Sequence, residues 1–149
     1  MEIKMKKTNK LLACALIVAL LTLALFGCSA GTKNGTATIV IAGEETNEYE
    51  VKIENLESAT VHGALLYLKE PNGIAYEYVG TMVTEAGELK NDDAAYKWIY
   101  FWTSVESDFD VSEWASTVEF SGRELVSSGV SAMEMSLVDG AIIYIGYYE

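Results

Sequence analysis

TATIVIAGEETNEYEVKIENLESATVHGALLYLKEP, residues 36–71, changes its hydrophobic period partway along. Thr36 to Ala42 alternates around β-branched residues and reads as a strand. Gly43-Glu44-Glu45 is a turn. From Thr46 to Glu54, Tyr49, Val51 and Ile53 alternate with charged positions, the pattern of a half-buried second strand, and the two strands read as a hairpin. Val61, Ala64, Leu65 and Leu68 then fall at i, i+3, i+4 and i+7, which is one face of a helix. Ser58 or Thr60 is placed to cap its start, and Pro71 stops it.

Downstream, Asn72-Gly73 is a turn signal, and Ile74–Val79 and Thr81–Thr84 read as short strands. Glu88 to Ala94 is polar loop. Tyr96 to Trp102 is the densest aromatic run in the chain and, being apolar on both faces, predicts a central strand covered on both sides. Residues 103–116 are acidic and irregular, Val118–Phe120 is a further short strand, and Ser127-Ser128-Gly129 leads into Met133–Leu137. Asp139-Gly140 turns the chain into a last strand, Ala141 to Tyr148. A hairpin, one amphipathic helix and several strands predict an α+β domain with the helix packed on a mixed sheet.

The region before residue 36 has a different character. Lys4, Lys6, Lys7 and Lys10 precede Leu11–Phe26, 16 residues without a charge. A bilayer-spanning helix needs roughly 20 apolar residues, so the basic head and shorter apolar run read as a signal peptide, residues 1–27. Leu25-Phe26-Gly27-Cys28 resembles the lipobox of bacterial lipoproteins. That resemblance implies diacylglycerol transfer to Cys28 and cleavage before it, leaving residues 28–35 as a lipidated tether and residues 36–149 as a single domain. It places the protein on the extracytoplasmic face of the cell membrane, held by the lipid on Cys28; two acyl chains suffice for a stable anchor where one does not.

Residues 29–149 hold six of the ten basic residues and 21 of the 22 acidic ones, a formal charge of −15. The acids are spread along the whole length, and such a surface repels nucleic acid and anionic head groups. Cys14 lies in the leader and Cys28 is the anchor, so no disulfide can form within the domain and its stability must come from one apolar core.

The order of elements resembles the small β-grasp-like family that includes the C-terminal domain of the cobalamin carriers transcobalamin and intrinsic factor. The resemblance is carried by Val61-x-x-Ala64-Leu65-x-x-Leu68 as its helix and Trp98-x-Tyr100 as its aromatic strand. Gly129-Val130-Ser131, Leu137-x-Asp139-Gly140, Ile142 and the closing Tyr147-Tyr148 match its C-terminal signature. It implies a β-grasp-like fold and a role in binding, with capture of a small cofactor such as a cobamide together with another polypeptide as one form of that role.

Little in the chain points to catalysis. His62 is the single histidine and sits beside the apolar helix face, where a structural or solvated role is the ordinary one. A Ser/His/Asp or Cys/His site would have to use His62, and no G-x-S-x-G turn flags a paired nucleophile; the usual His/Cys metal sites are unsupported, and no Gly-rich phosphate loop is present. Glu106-x-Asp108-x-Asp110-x-Ser112-Glu113 offers spaced oxygens of the kind calcium takes. It lacks the turn glycine and has Thr117 where the frame wants Glu, so it reads as a solvated acidic loop.

The remaining candidates are aromatic. Trp98, Tyr100 and Trp102 share one face of their predicted strand, with Lys97, Ile99 and Phe101 opposite; Tyr144 and Tyr148 share a face of the last strand. The helix covers only one sheet face. Either the five aromatics form an open platform for a flat ligand or a peptide, or Phe109 and Trp114 of the acidic insertion fold over them as a second core. The sequence thus predicts a lipid-anchored, non-catalytic binding or interaction module that needs no metal or cofactor, with Trp98, Tyr100, Trp102, Tyr144 and Tyr148 as its candidate platform.

Overall fold

The structure, a computed structural model, describes residues 33–148; the leader 1–27, Cys28 and the tether as far as Thr32 lie outside the described residues. In chain order the strands are β1 (Thr36–Ala42), β2 (Thr46–Lys52), β3 (Tyr76–Val79), β4 (Met82–Ala86), β5 (Leu89–Lys90), β6 (Ile99–Thr103), β7 (Thr117–Phe120), β8 (Arg123–Ser127) and β9 (Ile142–Tyr147). The single α-helix among the described residues, α1, spans Val61–Lys69. The class is α+β, mostly strand.

Six strands form one sheet in the order β2-β1-β9-β6-β8-β7. β1 and β2 are the expected hairpin, with Thr36 opposite Lys52 and Ala42 opposite Thr46. β9 lies parallel to β1, Thr38 beside Ile142 and Ile41 beside Ile145, whereas its other neighbour, β6, runs antiparallel. The sheet is therefore mixed. β3, β4 and β5 form a separate antiparallel sheet of three strands.

Alternation along the strands divides the large sheet into two faces. Ala37, Ile39, Ile41, Val51, Ile99, Ile143 and Ile145 point to the near face and are buried in one core. Into it pack Val61, Ala64, Leu65 and Leu68 of α1, and Tyr76, Val83, Ala86 and Leu89 from the small sheet. The helix and the small sheet thus cover the same face. Each fully buried Leu, Ile or Val contributes roughly 1.5–3 kcal/mol relative to exposure, whereas the two ion pairs among the described residues, Lys69–Glu77 and Lys90–Glu85, lie at the surface with exposed lysines and contribute little. The core therefore holds the domain together against its own negative charge.

Several elements differ from the sequence expectation. The aromatic strand begins at Ile99 rather than Tyr96. Tyr96 has a left-handed backbone, φ 54°, within a turn closed by the Asp92–Lys97 bridge, and the Asn91 side chain accepts the Ile99 N–H. That turn fills the residues just before the strand. β6 is covered on both faces only towards its Trp102–Thr103 end: Tyr100 remains 43% exposed. Leu89–Lys90 is a short strand within the expected polar loop, and β8 pairs with β6 where no strand was read. β8 follows β7 through Ser121-Gly122, both with positive φ, as a tight two-residue hairpin requires. Met133–Leu137 lies outside the strands, joined to Thr60 by a single bridge at Ser136, and buries Met135 and Leu137 in the core.

Thr60 caps α1 by accepting the Gly63 N–H at 3.2 Å, and Ser58 Oγ lies 2.9 Å from the Thr60 hydroxyl. Gly63 is required here by space. A Cβ at that position would lie 2.2 Å from the Ser58 carbonyl oxygen, a backbone atom that cannot step aside alone. Gly63→Ala would gain about 1 kcal/mol of helix propensity in isolation, but overpacking costs about 1–3 kcal/mol. With a backbone atom as the obstacle the cost lies at the upper end, a net loss of about 1–2 kcal/mol, and the expected outcome is a melting temperature lowered by roughly 4–8 °C. An unchanged or raised melt in differential scanning calorimetry would refute this account of the helix start.

Candidate functional site

The far face of the large sheet carries the aromatics. β9 turns Tyr144 and Gly146 to this face between Ile143, Ile145 and Tyr147 on the other. β6 turns Tyr100 and Trp102 the same way, with Trp102 beside Tyr144 and Tyr100 beside Gly146 in the pairing register. The four ring systems are joined by contact. Trp102 meets Tyr144 edge to face at 5.9 Å between centroids, Tyr100 lies 6.1 Å from Trp102, and Tyr100 and Tyr148 are 5.0 Å apart.

Their surroundings differ. Trp102 is buried, with its indole N–H donating to Ser116 Oγ at 3.0 Å. Tyr144 is half-buried and also packs against Phe120 at 6.0 Å. Tyr100 and Tyr148 are 43% and 52% exposed. Trp98 does not join the group: it precedes β6, donates its indole N–H to Asp93 at 3.2 Å and stacks edge-on with Tyr96. The expected platform is thus four residues, with one end roofed and the other open.

The roof comes from Ser116–Val118 at the start of β7. Trp114 is 78% exposed and folds over nothing. The acidic insertion is instead pinned from below by Asp108. This buried carboxylate accepts the Ser136 N–H at 2.6 Å and the Ser107 hydroxyl at 3.2 Å, while its backbone oxygen accepts the Gly129 N–H. Asp110 caps a turn through the Ser112 N–H, which holds its carboxyl below the usual range. Among the described residues no group of three His, Cys, Asp or Glu side chains lies close enough to hold a metal ion.

Between the roof and the turn after β1 lies a cleft of about 530 Å³. Ala42, Gly43 and Thr46 form one wall, Ser116, Thr117 and Val118 the other, and Trp102, Tyr144, Gly146, Tyr147 and Tyr148 line the rest. The volume lies within the range of small-ligand sites. Gly146 keeps it open: a Cβ there would stand 3.2 Å from the Tyr144 ring. None of the lining residues is charged, in a domain whose surface is dominated by carboxylates. A neighbouring hollow of about 570 Å³ is lined by Glu44, Glu88 and Lys97 as well as Gly43, Leu89 and Tyr147. Volume does not separate the two; chemistry does. In the second hollow Lys97 already sits 5.4 Å over the Tyr147 ring, and the Tyr147 hydroxyl is tied to the Lys90 backbone at both N–H and C=O.

Sequence reasoning missed Gly146, Ser116, Thr46 and Val118 as parts of this site. A glycine inside an aromatic strand is a signal for close approach on one face, and Gly146 could have been found that way.

The cleft occupies the end of the sheet away from the point where the chain joins the domain. Thr36 stands at the opposite end of β1 from Ala42 and Gly43, a run of roughly 20 Å for a seven-residue strand. At Thr36 the chain is fastened: Asp139 Oδ1 accepts its N–H and the Gly140 N–H donates to its carbonyl. Lys33 is bonded to the Glu57 carbonyl.

His62 lies elsewhere, at the start of α1. Its Nδ1 is 2.7 Å from the hydroxyl of Tyr76, and its ring stands edge-on to Tyr78 at 4.9 Å. Burial, and secondarily Tyr78 nearby, pushes the Tyr76 phenol well above its ordinary range, so it remains protonated. No nucleophile or carboxylate contacts His62 among the hydrogen bonds of the described residues, so the geometry is that of a structural pair.

The chain matches no known family model, no curated protein and no solved structure.

The Tyr76 environment sets a pH dependence. A phenol whose folded pKa is raised stabilises the fold fully below the unfolded value of about 10 and loses that contribution as pH rises above it. Chemical unfolding monitored from pH 8 to 11 should therefore show stability falling above about pH 10, with a shallower fall in Tyr76→Phe. Equal slopes in the two proteins would show that Tyr76 is not held neutral by the fold.

Proposed function

We propose that this chain is a lipid-anchored, extracytoplasmic binding module that acts without catalysis and takes its ligand in the aromatic cleft on the far face of the sheet. The observation that carries this reading is the cleft itself: an uncharged, ring-lined hollow of ligand size, half open, in a strongly acidic domain. Tyr100 and Tyr148 leave large apolar surfaces in water beside it, and a fold gains nothing from that exposure. Its position at the end of the sheet far from Thr36 keeps it clear of the residues through which the N-terminal segment joins the domain. The absence of charge from the lining also argues against acid–base chemistry there.

A β-grasp-like fold belongs to the same proposal. In its favour are the N-terminal hairpin, the single helix across one face of the sheet and the parallel pairing of first and last strands.

Two measurements test the reading. Expressed in a bacterial host, the full chain should partition into the detergent phase of Triton X-114, and Cys28→Ala should accumulate with its leader uncleaved and without lipid. Equal lipid labelling of the two proteins would refute the anchor. Tryptophan fluorescence of the solubilised full chain, titrated with nucleosides, short peptides and cobalamin as well as neutral sugars, should find a ligand whose binding weakens at least about tenfold in Tyr100→Ala/Tyr148→Ala. Because both side chains are exposed, the melting temperature should stay within about 2 °C. Binding that ignores these tyrosines would remove the cleft from the account.

A further inference from the structure

The chemistry of the cleft narrows its ligand beyond the binding role just proposed, on which this inference rests. Two kinds of group decide the chemistry of the lining. Tyr144 and Tyr148 supply ring surfaces, with the buried Trp102 behind them, and Thr46, Ser116 and Thr117 supply hydroxyls along the walls. Neither an acid nor a base is among them. A ligand that matches must have apolar faces to lie on rings and neutral hydrogen-bonding groups around its edge. A pyranose sugar has both: a face of C–H bonds, whose hydrogens are attracted to the negative face of an aromatic ring, and a belt of hydroxyls.

Charge and shape narrow the class further. Residues 29–149 carry a formal charge of −15, so a polyanionic saccharide would approach against the field of the whole domain. The aromatic surface does not end with the cleft. Tyr148 continues it to Tyr100 at 5.0 Å, outside the hollow and 43% exposed. A single sugar would leave that surface uncovered, whereas a chain of several rings would run from Tyr144 at the roofed end out across the open tyrosines. We propose that the cleft and its tyrosine rim bind a neutral oligosaccharide.

The test uses the full chain, solubilised in a zwitterionic detergent so that no sugar head group competes. Titration calorimetry with the neutral hexasaccharides of glucose, xylose, mannose and N-acetylglucosamine is set beside polygalacturonate and tetramethylammonium chloride. The expected result is binding of at least one neutral hexasaccharide, weakened at least about tenfold by Tyr100→Ala/Tyr148→Ala at unchanged melting temperature, with no binding of polygalacturonate. The corresponding monosaccharide should bind more weakly than the hexasaccharide. If no neutral hexasaccharide binds, or if binding is indifferent to the two tyrosines, the inference is overturned. Tyrosine-dependent binding of tetramethylammonium, of a peptide or of a nucleoside, with none of any hexasaccharide, would overturn the sugar while leaving the binding module standing. No tyrosine-dependent binding of any probe would overturn both.

Discussion

The parallel pairing of β1 with β9 brings residues from the two ends of the domain together, Thr38 beside Ile142 and Ile41 beside Ile145. It is fastened at its base by Asp139 and Gly140, which hold both backbone groups of Thr36. Because β6 pairs with the other edge of β9, the last strand of the chain lies inside the sheet. Every strand on one side of it, β1 and β2, and every strand on the other, β6, β8 and β7, belongs to one sheet only through β9. The loop closure this demands spans most of the domain, but its entropic cost grows only slowly with length.

That central placement gives both faces of the sheet their character. The period of two along β9 sends Ile143 and Ile145 into the core and Tyr144 and Gly146 the other way. Tyr144 then meets Trp102 across the pairing with β6, and Gly146 leaves space above the backbone beside it. A slip of one residue would put tyrosine in the core and isoleucine in the cleft. The register that builds the core therefore also builds the site, and stability and binding depend on the same pairing.

The N-terminal hairpin and the helix were legible because their hydrophobic periods are clean and local. Tyr49, Val51 and Ile53 alternate, and Val61, Ala64, Leu65 and Leu68 step by three and four. The rest depended on contacts that a local pattern does not contain. Arg123–Ser127 alternates weakly, since its buried positions are Leu125 and Ser127, and only the Ser121-Gly122 turn marks it as half of a hairpin. The small sheet is built from strands too short to announce which partners they take. At the site, alternation put Tyr100 and Trp102 on one face and Tyr144 and Tyr148 on another, and the pairing of β6 with β9 made those faces the same. Trp98 was assigned to the same strand because its spacing fits. The turn closed by Asp92 and Lys97 ends just before the strand starts, and the Asp93 carboxylate takes its indole N–H. Which tryptophan would be roofed followed from Ser116, a residue with no hydrophobic signal at all.

Amide hydrogen exchange of the full chain, resolved by residue, tests the central role of β9 most directly. Strands inside a sheet open only with global unfolding, whereas edges open locally. The account predicts that the amides of Ile143 and Ile145, together with those of their β1 and β6 neighbours, exchange slowest and at one common free energy of opening, with β2 and β7 faster. Exchange across Ile142–Tyr147 as fast as at the edge strands, with the protected centre lying elsewhere, would contradict it.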